Sequence, residues 1–187
     1  MLKKIGLTIL AIILAYNTIK LVMIFADLNP NKFSLLAIIV SAFAFNLMIT
    51  GVFAFLGFAF PTSKILPNTY YKIRKPETIN FLYKMFGVKY FKLFLLKTFY
   101  RNEDNKKYFN GTKAGIISFD FQTKQSEFGH LLAFLVIQLL VLYLLSIGFV
   151  SIFFHTTLMN IILNFYPIIL QRKHRIQIER LLKRASC

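Results

Sequence analysis

The sequence predicts an all-α integral membrane protein with about four transmembrane helices. Two are N-terminal and two C-terminal, with a basic interfacial or cytoplasmic segment between the pairs. Three observations carry this. Hydrophobic residues make up 57% of the 187 positions and gather into long runs, above the roughly 45–50% usual in globular chains. Lys and Arg outnumber Asp and Glu by 23 to 7, yet nearly all the basic residues lie outside those runs. Composition also changes abruptly at Pro61, from apolar to lysine-rich.

The runs follow in order. Lys3 and Lys4 precede a first span at about residues 5–26, long enough to cross a hydrocarbon core about 30 Å thick at about 1.5 Å per residue. Asn17 and Lys20 interrupt it, and a lysine there can snorkel to the interface. A cleaved signal peptide is the competing reading, but the run is long for one and no A-x-A site closes it, so a retained anchor is expected. Asp27-Leu28-Asn29-Pro30-Asn31 reads as a tight turn. The second span is about 33–60, with Asn46 its one strongly polar side chain and several small residues suited to close helix approach. Residues 61–129 form the basic segment, with 13 Lys or Arg and five acids. Asn80 to Tyr100 reads as an amphipathic helix in the headgroup region, Asn102 to Gly115 as a loop, and Ile116 to Phe121 as a short strand or extended piece. The third span is about 130–154. His155-Thr156-Thr157 is the expected turn into a fourth of about 157–170, short against the roughly 20 residues a span needs. A basic tail, 171–187, closes what reads as one membrane domain.

Charge sets the orientation. With four spans, both termini and the central segment share one side, which holds 21 basic residues; the other side holds Lys32. The positive-inside rule makes the basic side cytoplasmic and the protein multi-pass in the cell membrane. A net charge of +16 would suggest nucleic acid in a soluble chain. Here it points to no nucleic acid but to membrane lipids with anionic headgroups, or to phosphate-bearing ligands. The single cysteine, Cys187, forms no intramolecular disulfide, and as the last residue it is no prenylation box. The sequon Asn110-Gly111-Thr112 falls in the segment read as cytoplasmic and is discounted.

There is no Walker loop, Rossmann fingerprint, H-E-x-x-H or G-x-S-x-G, and no metal-site spacing. What remains is polar residues at the cytoplasmic ends of the last two spans. Glu127 and His130 are three apart, neighbours on one helix face. A carboxylate beside an imidazole can orient it and stabilise its protonated form, as a general base requires. The bland reading is an acidic first helical turn beside an interfacial histidine. Asn164, Ile168, Gln171 and Arg175 recur on one helical stripe, and polar groups within spans face a protein interior or cavity. Pro167 removes a backbone donor and frees the carbonyl of Leu163. A positive-inside stop signal would explain Arg172, Lys173 and Arg175, but neither Asn164 nor Gln171.

Glu127-Phe128-Gly129-His130, Asn164-Phe165-Tyr166-Pro167 and Gln171-Arg172-Lys173-His174-Arg175 resemble the E-x-x-H, N-x-x-P and Q-R-x-N-R pattern of the glycosyl-4,4'-diaponeurosporenoate acyltransferase family. The resemblance covers roughly residues 62–184 and is best over 123–184. His174 stands where the family usually has Asn, and Lys173 where an aromatic is common. Members of that family add a fatty acyl chain to the glucose of a carotenoid glycoside. The resemblance thus implies a membrane acyltransferase with no resident cofactor or metal. Its co-substrate is an acyl thioester such as acyl-CoA, and its acceptor a carotenoid glycoside or other glycolipid.

The expected roles are His130 and Glu127 as catalytic pair, with Asn164, Gln171, Arg172 and Arg175 binding substrate and Pro167 structural. Asn164 or Gln171 would donate to the oxyanion, and the two arginines would hold donor phosphates. The rival is a non-enzymatic membrane partner or assembly protein whose basic face binds anionic lipid, and a third possibility is an acyltransferase for a non-carotenoid glycolipid. The sequence sets no oligomeric state.

Overall fold

A computed structural model describes residues 1–98 and 112–184. Among them there is no strand, and four helices are long and apolar enough to cross a membrane: Leu2–Ala26, Leu35–Ala59, Ala114–Ser146 and Val150–Lys183. The chain gathers into two units, Met1–Thr62 with Gly129–Phe165, and Ser63–Phe128 with Tyr166–Cys187.

The first unit holds most of the apolar sequence. Helix α1 (Leu2–Ala26) and helix α2 (Leu35–Ala59) pack along each other. They approach closely at Gly51, where an added Cβ would lie 2.7 Å from the Leu14 side chain. Asn17 and Thr18 of α1 each turn back to a carbonyl one turn earlier, both at 2.8 Å. The helix thereby satisfies its own polar side chains, as a lipid-facing segment must. The expected turn at residues 27–31 is present. Asn29 Oδ1 accepts from the Asn31 N–H, Pro30–Lys32 makes one 3₁₀ turn, and Ser34 caps α2 by accepting from the Ala37 N–H at 3.2 Å. Phe25, Phe33 and Phe149 pack with ring centroids 5.1 to 5.5 Å apart, over Phe45, Leu144 and Ile152. Ile49 joins Ala133, Ile137 and Val141 in a second cluster. Much of the rest of the apolar surface is exposed, including Ile9, Ile12, Ile19, Leu36, Leu139 and Leu158, as side chains that face lipid would be.

The later elements correct the sequence reading in four places. Ile116 to Phe121 is helical, inside helix α6 (Lys113–Ser146), which therefore also takes the end of the segment expected as a loop. Its aromatic and β-branched residues suit a strand locally, but Asp120 and Lys124 pair at 2.7 Å one turn apart and belong to the helix. The remaining loop residues up to Gly111, with Asn110 of the sequon, lie outside the described residues, as does Cys187.

The turn between the last two spans is at residues 147–149, where Gly148 takes φ +96. His155-Thr156-Thr157 lies inside helix α7 (Val150–Asn160). Gly148 is needed twice over, because a Cβ there would be strained and would sit 3.3 Å from Pro30 Cγ. The fourth apolar helix is consequently long: α7 runs into one π turn, Ile161–Phe165, and then helix α8 (Tyr166–Arg184). A proline has no N–H to reach the carbonyl four residues back, and the wider π turn ends at Phe165, two residues before Pro167.

In the second unit, a short helix α3 (Asn68–Tyr71) leads to α4 (Pro76–Met85) and α5 (Val88–Thr98). The single helix expected over Asn80 to Tyr100 is two, broken at Gly87 with φ +62. Both pack on α8. Phe86 and Phe91 meet the Tyr166 ring at 6.5 and 5.8 Å, while Phe81, Met85, Tyr90 and Phe94 stay exposed among lysines. That is the amphipathic composition of an interfacial helix.

Candidate functional site

The sequence-selected residues divide between the two units, and each group has its own polar partners. In the first unit, His130 on α6 faces the fourth apolar helix. Its Nδ1 is 3.0 Å from Asn164 Oδ1, and the Thr50 hydroxyl on α2 donates to the same oxygen at 3.1 Å. Asn164 Nδ2 donates to Asn160 Oδ1, and Asn160 Nδ2 donates to the Phe134 carbonyl, both at 3.0 Å. Both asparagines are fully buried. The cluster ties two positions one turn apart on α6, 130 and 134, to two positions one turn apart on the facing helix, 160 and 164.

Chemistry follows from that geometry. An amide oxygen only accepts, so the His130 Nδ1 opposite it carries the proton. In the neutral ring, Nε2 then holds the lone pair. Among the described residues Nε2 has no hydrogen-bond partner. A half-buried imidazole held at one nitrogen, with the lone pair on the other, is arranged to take a proton. Asn46 adds a second tie on α2, donating to the Thr156 carbonyl at 3.2 Å one helical turn before Thr50.

In the second unit, Glu127 on α6 is completely buried. Its Oε1 accepts from Arg172 Nε at 2.8 Å, and its Oε2 accepts from Arg175 Nη2. The arginines in turn cover rings, with the Arg172 guanidinium 5.0 Å from the Tyr70 ring centroid and that of Arg175 5.5 Å from Tyr71. The Arg175 side chain is 2% exposed and that of Arg172 26%. Two guanidiniums against one carboxylate leave the cluster one positive charge in excess. Burial, and after it the Glu127 carboxylate, pushes the Tyr71 hydroxyl up to about 12 and raises Tyr70 in the same direction. Gln171 Nε2 donates to Ser126 Oγ at 3.2 Å, and Lys173 Nζ donates to Asn80.

Each expected site residue therefore has a place. His130 and Asn164 meet directly. Glu127, Arg172 and Arg175 meet directly, with Gln171 on the same helix as the arginines. The hydrogen bonds of Glu127 run to the arginines, and the orienting bond of His130 comes from Asn164. With both Asn164 Oδ1 lone pairs occupied and Nδ2 donating to Asn160, that amide is largely spent on holding the imidazole. Thr50, Asn160, Tyr70 and Tyr71 were not among the expected site residues. The signal for Asn160 was its spacing of four from Asn164 inside an apolar run, and Asn46 and Thr50 share the same spacing on α2. No group of three His, Cys, Asp or Glu among the described residues is placed to hold a metal ion.

The family model described as glycosyl-4,4'-diaponeurosporenoate acyltransferase matches residues 67–184, more than half of the chain. No curated protein and no solved structure matches it.

Proposed function

The chain belongs to the glycosyl-4,4'-diaponeurosporenoate acyltransferase family, and from that premise we propose that it esterifies a sugar hydroxyl of a carotenoid glycoside with a fatty acyl chain, using His130 as general base. The observation that carries the role of His130 is its bond to Asn164, which leaves Nε2 as the proton acceptor.

The step balances without a cofactor. Nε2 takes the hydroxyl proton as the sugar oxygen attacks the thioester carbonyl. A tetrahedral oxyanion forms and collapses, and the carbon–sulfur bond breaks. The leaving thiolate takes the proton back from the imidazolium, giving ester and free thiol. Asn164 orients the base, a part the sequence reading had given to Glu127. Glu127 instead neutralises Arg175 and aims Arg172, which with its greater exposure is the residue to hold the donor's phosphates.

The same reading places the chain in the cell membrane with both termini cytoplasmic. The charge asymmetry supports this, since 21 of the 23 basic residues fall on one side of a four-span arrangement. The exposed aromatic and lysine side chains of α4 and α5 would then rest on anionic headgroups.

Lipid extracts of wild-type, deletion and His130→Ala strains test the proposal by mass spectrometry. Deletion is expected to shift the pigment to an unacylated, more polar glycoside. His130→Ala is expected to lower acylation by about 10²–10⁴-fold, the usual contribution of a general base. Full acylation by His130→Ala would remove the histidine from this role. An unchanged pigment profile on deletion, with a different glycolipid losing its acyl chain, would replace the acceptor.

A further inference from the structure

The hydrogen bonds behind His130 have a direction, and one residue sets it. The Phe134 carbonyl can only accept, so the Asn160 side chain must present its NH2 group there. Asn160 Oδ1 consequently faces Asn164, which must present its own NH2 in return. Asn164 Oδ1 is then forced toward His130, and the ring proton onto Nδ1. Thr50 contacts the same Asn164 oxygen, but a hydroxyl donates or accepts equally well. It would adapt to either orientation of the amide and fixes none.

We propose that Asn160 is a positioning residue for the acyl transfer: it transmits the polarity of the Phe134 carbonyl through Asn164, so that His130 holds its proton on Nδ1 and its lone pair on Nε2. The hydrogen bonds of Asn160 run to Phe134 and Asn164 and not to the imidazole. Losing it leaves the imidazole in place but frees the Asn164 amide to turn. With the NH2 group toward Nδ1, the ring would protonate on Nε2, the nitrogen that has to accept. A wrong tautomer in an intact catalytic site can cost as much as about 10⁴-fold in turnover. The proposal rests on His130 being the base, but its first readout does not.

The experiment uses the full-length protein in lipid nanodiscs with isotope-labelled histidine. Nitrogen NMR separates protonated from lone-pair ring nitrogens, and the His130 signal is assigned by its loss in His130→Gln. Wild type is expected to show the Nδ1–H tautomer. Asn160→Leu is expected to shift His130 toward Nε2–H and to lower kcat by about tenfold or more with KM little changed, within the range a misplaced base allows. Asn160→Asp is expected to keep Nδ1–H, because a carboxyl group buried among apolar spans is held in its neutral form, and its O–H then donates to the Phe134 carbonyl while its other oxygen accepts from Asn164, as the amide did. Thr50→Val also removes one hydrogen bond from the cluster but should leave the tautomer unchanged, which separates loosened packing from lost direction.

An Nε2–H tautomer in wild type, or an unshifted Nδ1–H signal in Asn160→Leu, would overturn the proposal. If Asn160→Leu does not fold, Asn160→Ala takes its place with the same expected and overturning results. A shifted tautomer with unchanged kcat leaves the proton placement standing and sinks the base reading, so the two ideas fail separately.

Discussion

The two units bury polar side chains in opposite ways. In the first, the polar cluster is assembled from neutral groups: two asparagines, a threonine, a carbonyl and an imidazole. In the second, the interior holds a carboxylate and two guanidiniums, roofed by tyrosine rings. The neutral cluster draws on the apolar spans, where an ionised side chain is costly. The charged cluster draws on the lysine-rich segment and on α8, where α3 supplies two aromatic faces. A neutral cluster can fix direction at small energetic cost. A charged cluster fixes position strongly, and its weakness is that removing one member strands another.

The largest effect expected from this contrast is at Glu127. Glu127→Gln should lower the stability of the purified protein by about 3–5 kcal/mol, because it leaves the Arg175 guanidinium buried without its counter-charge. Adding Arg175→Met should recover most of that loss. Thermal unfolding in detergent reads both, and equal losses in the single and double variants would show that the ion pair does not dominate there. Asn164→Leu removes two hydrogen bonds between helices, to Thr50 and His130, and one along its own helix, to Asn160, and should cost about 1–2 kcal/mol, at roughly 0.6 kcal/mol for each bond between membrane helices. A loss matching that of Glu127→Gln would erase the distinction between the clusters.

Much of the fold was legible because hydrophobic length is a strong signal. The first two spans, the Asp27–Asn31 turn and the break at Pro61 follow from runs and turn residues alone. The turn at residues 147–149 was hidden by Ile147 and Phe149, which continue the apolar run on both sides of Gly148. One positive φ is a smaller signal than a polar tripeptide such as His155-Thr156-Thr157. In the candidate site, the spacing of Glu127 and His130 allowed them to pair. Helical spacing shows which residues share a face, but not that an arginine pair on another helix competes for the carboxylate. Charge complementarity won that competition, and His130 was left to an amide. Asn160 has no charge and no catalytic chemistry of its own, so its spacing of four marks it as a neighbour of Asn164, and its contacts alone say what it does there.

Two smaller effects sharpen the comparison further. Arg172→Gln should raise KM for the acyl thioester by about tenfold, equivalent to about 1.4 kcal/mol of binding, with a lesser effect on kcat. An unchanged KM would reduce Arg172 to a structural partner of Glu127. The smallest effect is expected at Tyr71, which is buried with its hydroxyl unpartnered among the described residues. Tyr71→Phe should change stability at neutral pH by less than about 1 kcal/mol, since no hydrogen bond is lost.

The pH dependence at Tyr71 is more telling. Its hydroxyl is raised from 10.0 to about 12 in the folded protein, so the unfolded chain ionises first as pH climbs. Between those values the native state binds more protons and stability falls with rising pH. Tyr71→Phe should flatten that alkaline decline, and stability curves of the two proteins that stay parallel between pH 10.0 and about 12 would argue against it.

The polarity of the asparagine pair originates at a main-chain carbonyl, and this sets how the region tolerates sequence change. A carbonyl of the peptide backbone is present whatever amino acid stands at position 134, so Phe134 is replaceable without altering the message. Substitution at 160 or 164 can interrupt the signal, but no side-chain change can remove its source. A change of side chain at position 134 therefore leaves the source of that polarity in place, while the two amide positions are where a single substitution interrupts it.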